Sequence, residues 1–437
     1  MVSLIPIPTR RLAVLALASS IVIVALDSGW GFLAVNAGLV LLAMVDGLAA
    51  TRPDRVGIAR QVPDVVVLGA EDDITWDVTN PTGRRLRVAF ADELAPSLQA
   101  ASRRGRVTVP AHDAVEVATA IRPRRRGRFE ISVLTVRVQG PLGLASRQGS
   151  RRQPAVLRVY PPFRSRDEAE LRINRARILE VGLRSAQGRG GGTEFDQLRE
   201  YSVDDEFRRI DWSATARAGK AIVRTYRAER NQTVISLLDN GRIMAGRVDG
   251  VPRIEHAMDA VMMLTAVSTR LGDRAGLVLF DREVRSVVAP GHGRDQLGRV
   301  TEAMYAVDPV LAESDYLGAF AATLARFRRR AMLVLFTDLV EQAVGETLLP
   351  ALPLISRSHV VVVAAVQDPD VLRWALTTPT DAAGAYRKAA AVSALDERRR
   401  ATARLRGLGA TVVDAPPGRL APLLADAYLK VKAVGRL

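Results

Sequence analysis

Two apolar runs near the N-terminus constrain this chain more than any other feature. Residues 12–26 read LAVLALASSIVIVAL and residues 33–45 read LAVNAGLVLLAMV, with the short break DSGWGF between them. Neither run alone reaches the ~20 residues of an ideal bilayer-spanning helix. With their flanks, 11–27 and 29–45, both become spans at the lower limit of length. Trp30 and Phe32 suit a membrane–water boundary. Arg10 and Arg11 precede the first run, no Lys or Arg lies between the two, and Arg52, Arg55 and Arg60 follow the second. The positive-inside rule then predicts a transmembrane helical hairpin over 1–50, with both ends in the cytoplasm. The competing reading is a secretory signal peptide, opened by Arg10-Arg11. The second run and the poor cleavage site near Asp27 weigh against it.

At 437 residues the chain exceeds one ordinary domain of ~150 residues. A composition of 48% hydrophobic and 25% charged residues supports packed cores rather than disorder. The absence of cysteine excludes disulfides, thiolate catalysis and Cys-ligated zinc or iron–sulfur sites. The four histidines (His112, His256, His292 and His359) are scattered, which argues against a His-based metal site. Nearly all of the +15 charge comes from arginine; lysine occurs only at Lys220, Lys388, Lys430 and Lys432. A basic surface facing anionic lipid or nucleic acid is one reading. A genomic preference for arginine is the other. No basic run is interleaved with aromatics, so specific nucleic-acid recognition is not expected.

Over 61–160 the pattern changes to short alternating runs, at 73–79, 86–90, 115–119 and 129–138, separated by turn signals such as Asn80-Pro81-Thr82-Gly83. That spacing predicts a small β-sandwich. Arginine clusters at 84–85, 103–104 and 122–128 fall at its loops and edges. They serve either as edge protection by charge or as a patch facing lipid headgroups.

The stretch 164–231 is read as a linker carrying a distinctive segment. Helix-like spacing at 171–183 gives way to GRGGG at 188–192, a flexible joint that lacks the GK[ST] ending of a phosphate-binding loop. Residues 193–217 then read TEFDQLREYSVDDEFRRIDWSATAR. Here acids (Glu194, Asp204, Asp205, Asp211) mix with arginines (Arg199, Arg208, Arg209, Arg217) and aromatics (Phe195, Tyr201, Trp212). Such a mix builds either a buried ion-pair network or a recognition surface. A metal-dependent hydrolase using Asp204, Asp205 and Asp211 is the enzymatic alternative. No Ser-His-Asp, Walker or HExxH signature accompanies it.

Over 232–437 apolar strand-like runs alternate with amphipathic helical patterns, which predicts an α/β domain around a parallel sheet. The strands expected are 233–239, 276–280, 332–336, 359–366 and 410–413. Three acids fall at strand ends, Asp239, Asp281 and Asp338, where ligands bind in such folds.

Residues 192–217 resemble the signature of the family called domain of unknown function 58. The resemblance rests on Glu194, Phe195, Leu198, Arg199, Tyr201, Asp204, Asp205, Arg208, Ile210, Asp211, Trp212, Ala216 and Arg217, with Val203 in place of the usual glycine. It implies a C-terminal domain similar to von Willebrand factor type A. Such domains often hold Mg²⁺ through a D-x-S-x-S motif, a hydroxyl on a second loop and a later Asp. The positions implied here are Asp239, Ser314 and Asp338. Gly241 and Ile243 stand at both serine positions, so the site is degenerate, and Arg242 is an alternative means of neutralising the acids. The resemblance also implies a non-enzymatic, membrane-anchored scaffold that partners a MoxR-type AAA+ ATPase in protein maturation or assembly.

Overall fold

The structure is a computed structural model. It describes residues 6–26, 29–186, 194–202, 207, 210–227, 231–340 and 343–434. Contacts divide the chain into two units, Met1–Tyr160 and Pro161–Leu437.

The first unit begins with β1 (Ile7–Pro8), α1 (Arg10–Leu26) and α2 (Gly29–Ala49). Helix α2 runs past the expected end at residue 45 because Asp46 has partners. Its buried carboxylate accepts the backbone N–H groups of Leu142 (2.7 Å), Leu144 (2.7 Å) and Ala145 (2.9 Å). Without them, burying that charge would stop the helix short. The approach is close enough that a Cβ on Gly140 would lie 2.5 Å from the Asp46 carboxylate. The same turn receives the start of α1. Thr9 donates through its hydroxyl to Gly143 O (2.6 Å) and through its N–H to Leu144 O (2.9 Å). Among the described residues one helix, Gly29–Arg55 with its following turn, is long and apolar enough to cross a membrane. At 17 residues, α1 is shorter.

The strands that follow are β2 (Gly57–Gln61), β3 (Val65–Val67), β4 (Asp72–Thr79), β5 (Leu86–Asp92), β6 (Arg104–Val109), β7 (Ala114–Ile121), β8 (Gly127–Gln139) and β9 (Ala145–Tyr160). They form two sheets. One has the order β1-β9-β8-β5-β6 with β3 beside β9; the other is β2-β4-β7. Alternation turns Ile74, Trp76 and Val78 of β4 and Leu86, Val88 and Phe90 of β5 into one shared core. Strands begin at Gly57 rather than residue 61, because β2 pairs along its whole length with β4, from Gly57↔Thr79 to Gln61↔Thr75. Inside this core Arg60 meets Asp92 at 2.6 Å with both side chains buried, and Trp76 Nε1 donates to the other Asp92 oxygen at 2.8 Å. Arg60 is therefore a core ion-pair partner.

The second unit opens with α3 (Arg166–Ala186), followed by β10 (Glu194–Glu200), α4 (Trp212–Ala218) and β11 (Ile222–Arg227), with β10 and β11 paired antiparallel. Next come β12 (Thr233–Asp239), the small pair β13 (Arg247–Val248) and β14 (Val251–Pro252), α5 (Arg253–Arg270), β15 (Arg274–Phe280), β16 (Val284–Gly291), α6 (Asp295–Met304) and α7 (Tyr316–Arg326). The chain continues through β17 (Met332–Phe336), α8 (Leu349–Ser356), β18 (Val360–Val366), α9 (Pro369–Leu376), α10 (Ala382–Gly407), β19 (Thr411–Ala415) and α11 (Leu420–Ala433). The main sheet has the order β16-β15-β12-β17-β18-β19, parallel throughout except for the antiparallel edge β16. Apolar residues from α3, α5, α6 and α11 cover one face. Residues from α7, α8 and α10 cover the other. Burial on both faces explains why β12, β17 and β18 read as unbroken apolar runs.

Candidate functional site

Strand β12 lies between β15 and β17; from β12 the chain steps to β15, and from β17 it steps the other way along the sheet, to β18. The carboxyl end of such a strand is where α/β sheets open a crevice. Asp239 ends β12, Asp281 directly follows β15, and Asp338 follows β17 after Thr337. All three acids are buried.

Each is satisfied differently. Asp239 accepts four hydrogen bonds: Gly241 N–H (2.8 Å), Ser314 Oγ (2.5 Å), Tyr316 O–H (2.9 Å) and Thr337 Oγ1 (2.7 Å). Ser314 and Tyr316 flank Asp315, the residue that caps α7, so the start of that helix fixes both hydroxyls. The Tyr316 ring packs against Phe280 and Phe320 at centroid distances of 5.7 and 6.3 Å. Burial pushes the Asp239 carboxyl above its ordinary range, and the hydrogen bonds only partly offset this. Burial, then the neighbouring Asp239 charge, raises the Tyr316 phenol well above its usual value.

Asp281 takes both oxygens to Arg285 Nε, at 2.8 and 3.0 Å. Burial raises its carboxyl, but Arg285, the Glu283 N–H and Asn240 outweigh that and leave it below the ordinary range. Asp338 meets Arg398 at 2.7 Å and Arg253 at 3.2 Å. Arg398 also grips Asp414 with two bonds, of 2.7 and 2.8 Å, and donates to Val366 O. Arg242 takes no part in this. Among the described residues its side chain pairs with Glu313, at 3.3 Å, where both groups are mostly exposed.

These residues do not fit a divalent cation. Mg²⁺ needs oxygen ligands with free lone pairs in octahedral array. The Asp239 oxygens are occupied by four donors, and Asp338 is clamped by two guanidinium groups. Among the described residues no three His, Asp or Glu side chains converge as metal ligands. Gly241 has no room for a side chain as the site stands: a Cβ there would sit 2.1 Å from Ser314 Oγ. The Ser314 hydroxyl fills the space that a side chain at 241 would need.

In the signature segment Asp211 caps α4. It accepts Ala214 N–H (3.0 Å) through one oxygen and Arg224 Nε (2.6 Å) through the other. Those two contacts hold its carboxyl below the ordinary range. Gly219, at φ +69°, closes the helix with its N–H on Thr215 O. Tyr201 N–H bonds Ala221 O, and Arg199 Nη1 bonds Glu200 O. Arg217 turns back onto Ser213 O. Trp212 is 62% exposed and meets Phe207, 68% exposed, edge-on at 5.7 Å. Asp204, Asp205, Arg208 and Arg209 lie outside the described residues, as do the side chains of Glu194 and Phe195.

Arg253, Arg285, Arg398, Tyr316 and Thr337 were not singled out by sequence. Arg285 stood four residues from Asp281, a readable spacing. Arg398 lies 60 residues from Asp338, in a run of three arginines that nothing in sequence separates.

This is a mixed α/β domain whose strand-end acids are tied into hydrogen bonds and ion pairs. Residues 197–373 match the family described as "Protein of unknown function DUF58". The match runs from β10 into α9 and takes in every signature position except Glu194 and Phe195. No curated protein matches the chain.

Proposed function

We propose that this protein is a membrane-anchored, non-enzymatic scaffold whose second unit docks a protein partner, a MoxR-type AAA+ ATPase. The observation that carries the reading is the exposed Trp212–Phe207 pair, in which Trp212 opens a helix that Asp211 and Gly219 fasten at both ends. Exposed aromatics are what protein interfaces spend much of their binding energy on. Of the acids in the hydrolase alternative, Asp211 serves as a helix cap, and the strand-end acids Asp239, Asp281 and Asp338 are taken up by donors and guanidinium groups; Asp204 and Asp205 lie outside the described residues. We read the second unit as a von Willebrand factor type A-like domain, which its sheet order and single antiparallel edge support. We read α1 and α2 as a transmembrane hairpin with both ends cytoplasmic. The start of α1 and the end of α2 meeting at one turn supports that topology, and a cytoplasmic ATPase could then reach the body.

Affinity isolation of the full chain from membranes, with ATP present, tests the partner. A MoxR-type AAA+ ATPase is expected in the eluate, and Trp212→Ala should cut its recovery by roughly tenfold or more. If no such ATPase is recovered from cells that express one, the proposal is wrong.

A further inference from the structure

At the foot of α2 the chain forms a cleft of about 720 Å³, lined by Leu48, Ala49, Thr51, Thr82 and four arginines: Arg52, Arg55, Arg84 and Arg147. No acid lines it. A helix C-terminus carries only about half a negative charge, so its dipole does not call for four cations. One of them meets that need: Arg84 donates to Ala49 O, at the end of α2, and to Thr51 Oγ1 (3.0 Å). Arg52, Arg55 and Arg147 have no carboxylate partner among the described residues. The neighbouring acids do not offset them. Asp46 is buried under three N–H groups, and Asp54 lies outside the lining.

Hydrogen bonds brace the cleft. Arg151 holds the turn after α2 through Pro53 O (2.7 Å) and Val56 O (2.9 Å). Asp46 fixes the helix end to the turn before β9. Three unpaired guanidinium groups around a built concavity match the oxygens of a phosphate. The exposed apolar residues of α2 run down to Leu48, at the rim.

We propose that this cleft binds the phosphate of an anionic phospholipid through Arg52, Arg55 and Arg147, at the point where α2 leaves the bilayer. The inference rests on the membrane-anchored reading. It adds a lipid preference that anchoring alone does not require, because an apolar helix enters zwitterionic and anionic bilayers alike.

The full chain is reconstituted with phosphatidylcholine vesicles, alone or mixed with phosphatidylglycerol. Flotation reads anchoring, and native mass spectrometry reads which lipid stays bound. Wild type should float with both and retain phosphatidylglycerol preferentially. Arg52→Gln/Arg55→Gln/Arg147→Gln should float equally and lose that retention, by roughly a factor of five per cation. The exposed triple Arg87→Gln/Arg104→Gln/Arg106→Gln, which removes equal charge, should keep it. Equal loss in both triples, or none in the first, overturns the site. Displacement of the lipid by millimolar inorganic phosphate assigns the cleft to free phosphate and overturns the lipid claim. A chain that floats with both vesicle types but shows no lipid preference loses the cleft and keeps the anchor. A chain that floats with neither loses both.

Discussion

Single residues in this protein act mainly by closing off alternatives. Among the described residues Asp92 is the acid paired with the buried Arg60, so Asp92→Ala would leave an uncompensated charge among apolar side chains. A loss of roughly 3–5 kcal/mol is expected, read as a shift in the denaturant midpoint of the first unit. At the end of β12, Gly241→Ser would push a side chain into Ser314 Oγ. We expect that change alone to cost roughly 1–3 kcal/mol, as overpacking does. Removing the obstacle with Ser314→Gly should recover much of it. A double-mutant cycle measures the coupling, and strict additivity of the two changes would show that Ser314 does not occupy that space. The sequence displayed the glycine but not its cause, because Ser314 lies 75 residues from the Asp239 it bonds.

Secondary elements are held in place by a few buried polar contacts. Helix α11 is pinned by Asp273, which accepts the Tyr428 hydroxyl and pairs with Lys432 at 2.6 Å. Asp273→Ala should loosen that helix first, seen as faster amide exchange across Leu420–Ala433 than across β12. Two histidines set an acid limit. Burial, reinforced by Arg164, lowers His256, and burial, reinforced by Arg330, lowers His359, both from an ordinary value of 6.5. His359 Nδ1 accepts the Ala331 N–H at 3.1 Å, a bond that protonation there would break. Below pH 6.5 the unfolded chain therefore binds more protons than the folded one. The stability from these groups is complete above that value and is lost as the pH falls through it. Thermal melts of His256→Gln/His359→Gln should change less between about pH 7.5 and 5.5 than wild type does. Periodicity made β12, β17 and β18 legible, since regular apolar patterns carry their own signal. It missed β16, an edge strand with one half-exposed face, and α8, whose Pro353 interrupts the helical pattern.

For the whole molecule, the acids at the strand ends decide what the second unit offers a partner. Titrating Mg²⁺ into the full chain should give no saturable heat and no rise in melting temperature. A rise that saturates with Mg²⁺ would show that the cation displaces the donors around Asp239. The positions of Asp239, Ser314 and Asp338 were legible in sequence because strand ends and a motif placed them. Their partners were not, because Arg253 and Arg398 on Asp338, and Tyr316 on Asp239, come from remote parts of the chain. Chemistry between remote residues leaves no local pattern to read.

The contact between Asp46 and the turn before β9 also fixes an order of events during synthesis. Asp46 emerges from the ribosome 96 to 99 residues ahead of Leu142, Leu144 and Ala145. At the ~5–20 residues per second of translation, that carboxylate waits several seconds for its partners. Until they arrive the last turn of α2 carries a bare charge and stays ready to unwind. The end of α2 is thus set only after most of the strands of the two sheets have been made, so the arrival of one late turn times the completion of the N-terminal unit.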